Sequence, residues 1–448
     1  MFLIAALPVY LIRFNIFGLP STLLEAMIWA VFIVWAVKNF SRIKNNFLEN
    51  FKKENKKIKV RYPFDWEIIL LLLIALVAVG AAGFSASSFG VYKAYFFEPI
   101  MLFIVVLNII KNPSHLPLLK GVELILWPLA ISALAVSALA IYQKITGDLI
   151  GNPVWAAEST RRVVSFFGYP NAVGLYLGPI VLVMAGWLAS VFTRSPEAPR
   201  NDRVVIFFIS LTIVASILSI YFAKSKGALL GVAVGLVIFG LMANKKIRWL
   251  TIIALIIISL GVAIYRPARN LALENIILTN ISGQIRKAGW SDTWKMLKNG
   301  RLLTGAGLAN FKAAVAPYHA EGIFIKDPRD PEAQRKLAYN EAYRTAHWQP
   351  LEIYLYPHNI VLNFWSELGL AGLLLFVWII LKYFYLGIMN YKSKIADYKY
   401  FNIGLICAMV AIIVHGLVDV PYFKNDLSVM FWLFVAMISL INLESVNN

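Results

Sequence analysis

The feature that most constrains this chain is a succession of apolar runs that recurs from one end of the sequence to the other. A helix needs about 20 residues to cross about 30 Å of hydrocarbon, and about twelve windows have that character. They lie at 2–17, 20–39, 67–84, 91–110, 121–142, 170–192, 204–222, 227–243, 247–265, 358–388, 401–420 and 424–443. The expected fold is therefore all-α, a polytopic membrane helix bundle with about 12 transmembrane helices. At 60% hydrophobic and 15% charged, the chain is too apolar for an ordinary water-soluble globule. The leading run has no basic stretch before it and no small-residue cleavage site, so it is expected to remain as a first span. Cys407 lies in one run and has no second cysteine to pair with.

A formal net charge of +18 would suggest a nucleic-acid partner in a soluble protein. Here the basic residues sit in alternate short loops: SRIKNNFLENFKKENKKIKVR within 41–66, Lys111 and Lys120, Arg194, Arg200 and Arg203, KKIR at 245–248 and YKSK at 391–394. The positive-inside rule places those loops and both termini in the cytoplasm, with membrane lipid and no nucleic acid as their partner. The intervening segments then face outward, chiefly 143–169 and a large extracytoplasmic loop, 266–357. A loop of that size must contain its own elements. TWKMLKNG and DPEAQRKLAYNEAYRTAH read as helices, the second opening on Asp330 and Pro331 in cap and first-turn positions. Asp327 and Asp330 around Pro328 and Arg329 read as a capped turn. The expected division is 1–203 as an N-terminal bundle, 204–388 as a core bearing the large loop, and 389–448 as a C-terminal pair. The sequence shows no internal repeat of the kind that marks many secondary transporters.

Given that topology, outward-facing cations need an explanation. Arg161 and Arg162 precede SFFGYPN, Lys224 and Lys226 occupy AKSKG, and Arg286 stands in SGQIRKAGW. Singly, each could touch a lipid headgroup; converging from three loops at one depth, they suit a lipid-linked phosphate or pyrophosphate. In YPHNIVLNFWSELGLAGLLLF, Pro357 suits a first helical turn, which would put His358 and Asn359 at the outward N-terminal end of a span. The positive end of that helix favours an uncharged imidazole, able to take a proton from an attacking hydroxyl. The alternative role for His358 is a helix cap. Glu367, half a turn out of phase with His358, is expected to bind a neighbouring helix, with Gly369 and Gly372 giving that span a small-residue face. Glu98 and Asp419 could orient a site cation or form a buried pair.

PHNIVLNFWSELGLAGLLLF resembles the signature of the O-antigen ligase and polymerase family, in which a His-Asn pair opens a helix continuing into a Glu-x-Gly-x-x-Gly run. RVVSFFGYPN from Arg162, WKMLKNGRLLTGAGLANF from Trp294 and HGLVDVPYFKND from His415 are similar to further stretches of that family. The likeness runs from about Arg162 to the C-terminus; one departure is Lys226, which stands where the family commonly has arginine. The Gly-x-Gly-x-x-Asn run at 305–310 lacks the strand that a nucleotide-binding turn requires.

The resemblance implies a metal-independent glycosyltransferase without cofactor at the outer face of the cytoplasmic membrane. It would pass a glycan from undecaprenyl pyrophosphate to an acceptor hydroxyl on a lipid, glycan or protein. Arg162, Lys226 and Arg286 would bind the donor pyrophosphate, His358 would be the catalytic base with Arg286 beside it, and Asn359, Arg161 and Lys224 would support them. With no Asp-x-Asp pair in an outward loop, no divalent metal is expected. Two rivals remain: a polymerase joining glycan repeats, and a transporter suggested by Glu25, Glu98 and Glu123 within spans. A scaffold would account for the hydropathy but not for the outward cations.

Overall fold

A computed structural model describes residues 1–40, 63–111, 118–193, 202–327, 330–392 and 398–447. Most of the basic loop residues assigned to the cytoplasm lie outside the described residues, as do Pro328 and Arg329. The chain is a helix bundle built from α1 (Leu23–Lys38), α2 (Asp65–Ala81), α3 (Ala86–Ile110), α4 (Leu118–Thr146), α5 (Pro170–Thr193) and α6 (Asp202–Phe222). It continues through α7 (Lys226–Met242), α8 (Lys245–Ile264), α9 (Arg266–Ile276), α10 (Ile281–Met296), α11 (Ile360–Lys392), α12 (Lys399–Gly416) and α13 (Asn425–Asn447). Among the described residues, eight helices are long and apolar enough to cross a membrane. The expected spans at 20–39, 67–84 and 227–243 form the shorter helices α1, α2 and α7.

The core is formed by α5, α12 and α13. In α13, 89% of the apolar window is buried, against 0% in α8, which packs against α7 at the edge of the bundle, with Thr251 over Gly240. Glycines bring α5 and α12 together: a Cβ on Gly186 would lie 2.7 Å from the Cα of Gly404. Small residues allow such contact where hydrophobic burial gives no advantage over lipid.

The first expected span does not form. Pro8 interrupts the apolar run, and residues 2–22 fold as two short helical turns, Phe2–Ala5 and Leu7–Leu11, followed by a hairpin of β1 (Arg13–Ile16) and β2 (Leu19–Thr22). The hairpin leads directly into α1, whose Thr22 and Glu25 accept hydrogen bonds from Asn425 at the start of α13. Ten residues in helical turns span only about 15–20 Å, so the first residues stay near that end of the bundle.

The segment between α9 and α11 has its own structure, as its length requires. α10 carries TWKM, but Asn299 and Gly300 leave helical geometry, so LKNG ends the helix. Antiparallel strands β3 (Gly322–Phe324) and β4 (Trp348–Pro350) pair Gly322 with Pro350 and Phe324 with Trp348. The polar stretch after Asp330 is two helices, Ala333–Tyr339 and Glu341–Ala346, because Asn340 caps the second through the Tyr343 N–H.

Gly369 breaks α11, with φ at +71°, and its closest packing is against the backbone of Leu303 and Thr304. The Ser366 carbonyl and Leu370 N–H, partners in an unbroken helix, are separated there. The glycine-rich run supplies both replacements: Ala306 N–H donates to Ser366 (2.6 Å) and Leu370 N–H donates to Leu303 (3.0 Å). Ala309 N–H donates to Glu367 Oε2 (2.7 Å) and Leu308 N–H to the Ala78 carbonyl (3.2 Å). Glu367 thus binds this loop and not a neighbouring helix. A Cβ on Gly305 would sit 2.6 Å from the Ser366 oxygen, which explains the glycine without any nucleotide. Gly369→Ala would combine a left-handed backbone with a clash against Leu303, and should cost about 2 kcal/mol or more, read as a lowered Tm in detergent.

Candidate functional site

At the end of the bundle where α6 ends and α11 and α13 begin, α10 and the segments before α5 and α11 enclose a cleft of about 600 Å³. Its lining includes Arg162, Arg286 and His358, three groups that the sequence places more than seventy residues apart.

Arg162 is positioned by a buried polar side chain in α4. Gln143 Oε1 accepts from the N–H groups of Val164 (2.9 Å) and Ser165 (2.7 Å), and its Nε2 donates to the Ser165 carbonyl (3.0 Å). The turn so held directs Arg162 Nε to the Ala223 carbonyl at the end of α6 (3.1 Å) and Nη2 to Asn171 Oδ1 (3.3 Å). Asn171 Nδ2 in turn donates to Asp419 Oδ2 (3.1 Å). Asp419 Oδ1 accepts its own neighbour's N–H from Val420 (2.9 Å) and lies 3.5 Å from His358 Nδ1. That last separation is at the outer edge of hydrogen-bond reach. An amide and a carboxylate therefore connect the guanidinium to the imidazole. Burial would raise the Asp419 carboxyl, but His358 and the nearby His415, with the Val420 N–H, hold it below the usual carboxylate range.

His358 is not in the first turn of α11. The helix starts at Ile360, and Asn359 caps it by accepting the Leu362 N–H (3.0 Å) while donating to the Leu417 carbonyl (3.0 Å). A capping asparagine decides the start over the preceding proline. His358 is left just before the cap with φ at +48°, a strained conformation for histidine that its surroundings impose. The rings of Tyr354 and Tyr356 stand edge-on to it, each with a centroid separation of 4.9 Å. With Nδ1 towards Asp419, the opposite ring nitrogen is the one available to the cleft.

Arg286 projects from α10, its Nη1 donating to Ser282 Oγ one turn earlier (2.6 Å). Burial and then the like charge of Arg286 lower the Arg162 pKa. Two guanidiniums close enough to repel form a place for an anion. Arg286 Nε and Tyr169 Oη are buried without a hydrogen-bond partner, and both belong to residues that line the cleft, where a polar ligand would satisfy them. The far wall carries a second imidazole, His319, whose Nδ1 lies 3.5 Å from Asp292 and whose Nε2 is 3.3 Å from the Leu351 carbonyl.

Four of the expected site residues do not line the cleft. Lys226 is exposed and donates to Asn275 in α9 (2.9 Å). Lys224 donates to the Thr160 carbonyl (3.3 Å). Arg161 closes the end of α4 by donating to the Lys144 and Ile145 carbonyls (3.0 and 3.2 Å). Asn359 is the helix cap described above. The elements that sequence reasoning missed are Gln143 and Asn171; Asp419, read as a group that could orient a site cation or form a buried pair, is tied to Arg162 through Asn171 and stands beside His358.

Residues 211–377 match the O-antigen ligase family model. No curated protein matches the chain. The matched stretch contains Arg286 and His358, whereas Arg162, Asn171 and Asp419 fall outside it and reach the cleft through the fold.

Proposed function

We propose that this chain, a member of the O-antigen ligase and polymerase family, transfers a glycan from undecaprenyl pyrophosphate to an acceptor hydroxyl at the outward face of the cytoplasmic membrane. The observation that carries this reading is the meeting of Arg162, Arg286 and the Asp419-linked His358 in one cleft. The acceptor hydroxyl donates its proton to the cleft-facing nitrogen of His358 as its oxygen bonds to the anomeric carbon. The bond from that carbon to the pyrophosphate oxygen breaks, and the electron pair leaves with the pyrophosphate. Arg162 and Arg286 stabilise the charge that collects there, and Asp419 stabilises the imidazolium. Both roles are strengthened by the sequestered setting.

The same chemistry serves a lipid, protein or glycan acceptor, so ligase and polymerase share it. A transporter would concentrate polar groups where helices break in mid-membrane. The break at Gly369 is instead filled by the 303–310 loop, which favours the enzyme. The test is to supply the purified protein with a glycan on undecaprenyl pyrophosphate and candidate acceptors, and to measure release of undecaprenyl pyrophosphate. No release with any lipid, glycan or protein acceptor would count against the proposal.

A further inference from the structure

With Lys226 outside the cleft, the two arginines balance the two charges of the substrate's diphosphate but not the further charge that the pyrophosphate gains as it departs. A third cation lies behind the cleft wall. Lys424, in the turn before α13, places its ammonium 3.8 Å from the centroid of the Tyr169 ring, and Tyr169 lines the cleft. This is close for a cation on an aromatic face. Among the described residues the ring is the ammonium's direct partner. Asp426 offsets its charge in part, while Arg13 adds a like charge. Burial pushes the Lys424 ammonium well below the usual lysine range. A buried ammonium costs folding energy even beside a counter-charge, and this one stands against the wall of the cleft.

We propose that Lys424, seated on the Tyr169 ring, is the third cation of the cleft and draws the pyrophosphate of the substrate onto Arg162 and Arg286. This rests on the glycan-transfer reading above and adds to it a binding residue from the last turn of the chain. Because the charge acts through the wall, its effect is electrostatic and falls with ionic strength.

The full-length protein in nanodiscs can be assayed for binding of undecaprenyl pyrophosphate, with inorganic pyrophosphate as competitor. Lys424→Met keeps the length of the side chain and removes the charge. It should lower the Tm, because buried Asp426 loses its counter-charge, while the folded fraction binds both probes about 5- to 30-fold more weakly at low salt, the effect of one unit charge at about 8 Å in a surface cleft. The loss should shrink as salt is added. Lys424→Arg should restore most of the binding, and Tyr169→Leu, which removes the platform, should reproduce the defect. Equal binding by wild type and Lys424→Met would overturn the proposal and leave the transfer reading intact. So would a loss confined to the lipid-linked probe, because Lys424 is assigned to the phosphates. A wild-type protein that binds neither probe would overturn both.

Discussion

Replacing His358 by asparagine is expected to lower glycan transfer by about 10²- to 10⁴-fold, the range associated with loss of a general base. Asparagine is the informative substitution because it accepts the left-handed backbone that His358 adopts, at φ +48°, with less strain than alanine. The protein should therefore keep its Tm and its binding of undecaprenyl pyrophosphate while losing turnover. Asp419→Asn should follow in the same direction with a smaller loss, since the imidazole stays but its carboxylate support goes. Transfer by His358→Asn at the wild-type rate would remove His358 from the chemistry, whatever the fate of the family assignment.

The second large effect is expected at Arg286. Arg286→Ala should cost about 10²- to 10³-fold in transfer, comparable to removing one preorganised donor from a site of developing negative charge. Arg286→Lys should recover only part, because a point charge cannot make paired N–H contacts to a phosphate. Lys226 offers the contrast. It is exposed and bound to Asn275, so Lys226→Met should change transfer by no more than about threefold, within the usual range of a surface substitution. Initial rates with matched amounts of inserted protein would decide both. A Lys226→Met defect as deep as that of Arg286→Ala would restore the assignment made from sequence.

The bundle was legible in the sequence because membrane-spanning helices announce themselves by length and apolarity alone. The one span that failed, at 2–17, was apolar enough but carried Pro8, and a local break outweighs bulk hydropathy. His358 could be picked out by its place before a span, and Arg162 and Arg286 by their place in the segments between spans, and the structure does bring these three together. The same criterion could not separate Lys226, Lys224 and Arg161, whose positions differ by an angle at a helix end that no linear pattern records. Asn171 and the link it makes to Asp419 escaped for another reason. Their hydrogen bond joins positions 248 residues apart, and a contact of that kind exists only after the helices have packed. The Gly-x-Gly-x-x-Asn run was visible as a motif, but its purpose, replacing the hydrogen bonds that Gly369 breaks, depends on a second element far along the chain.

The splice between the 303–310 loop and the interrupted α11 constrains how this cleft can work. Arg286 sits at one end of that splice through α10, and His358 lies just before the helix at the other. Anion holder and base are thus bolted to a common frame, like the fixed jaws of a gauge, and their spacing is set at folding and not by a closing flap. Such a site recognises a substrate by whether it already fits the gap.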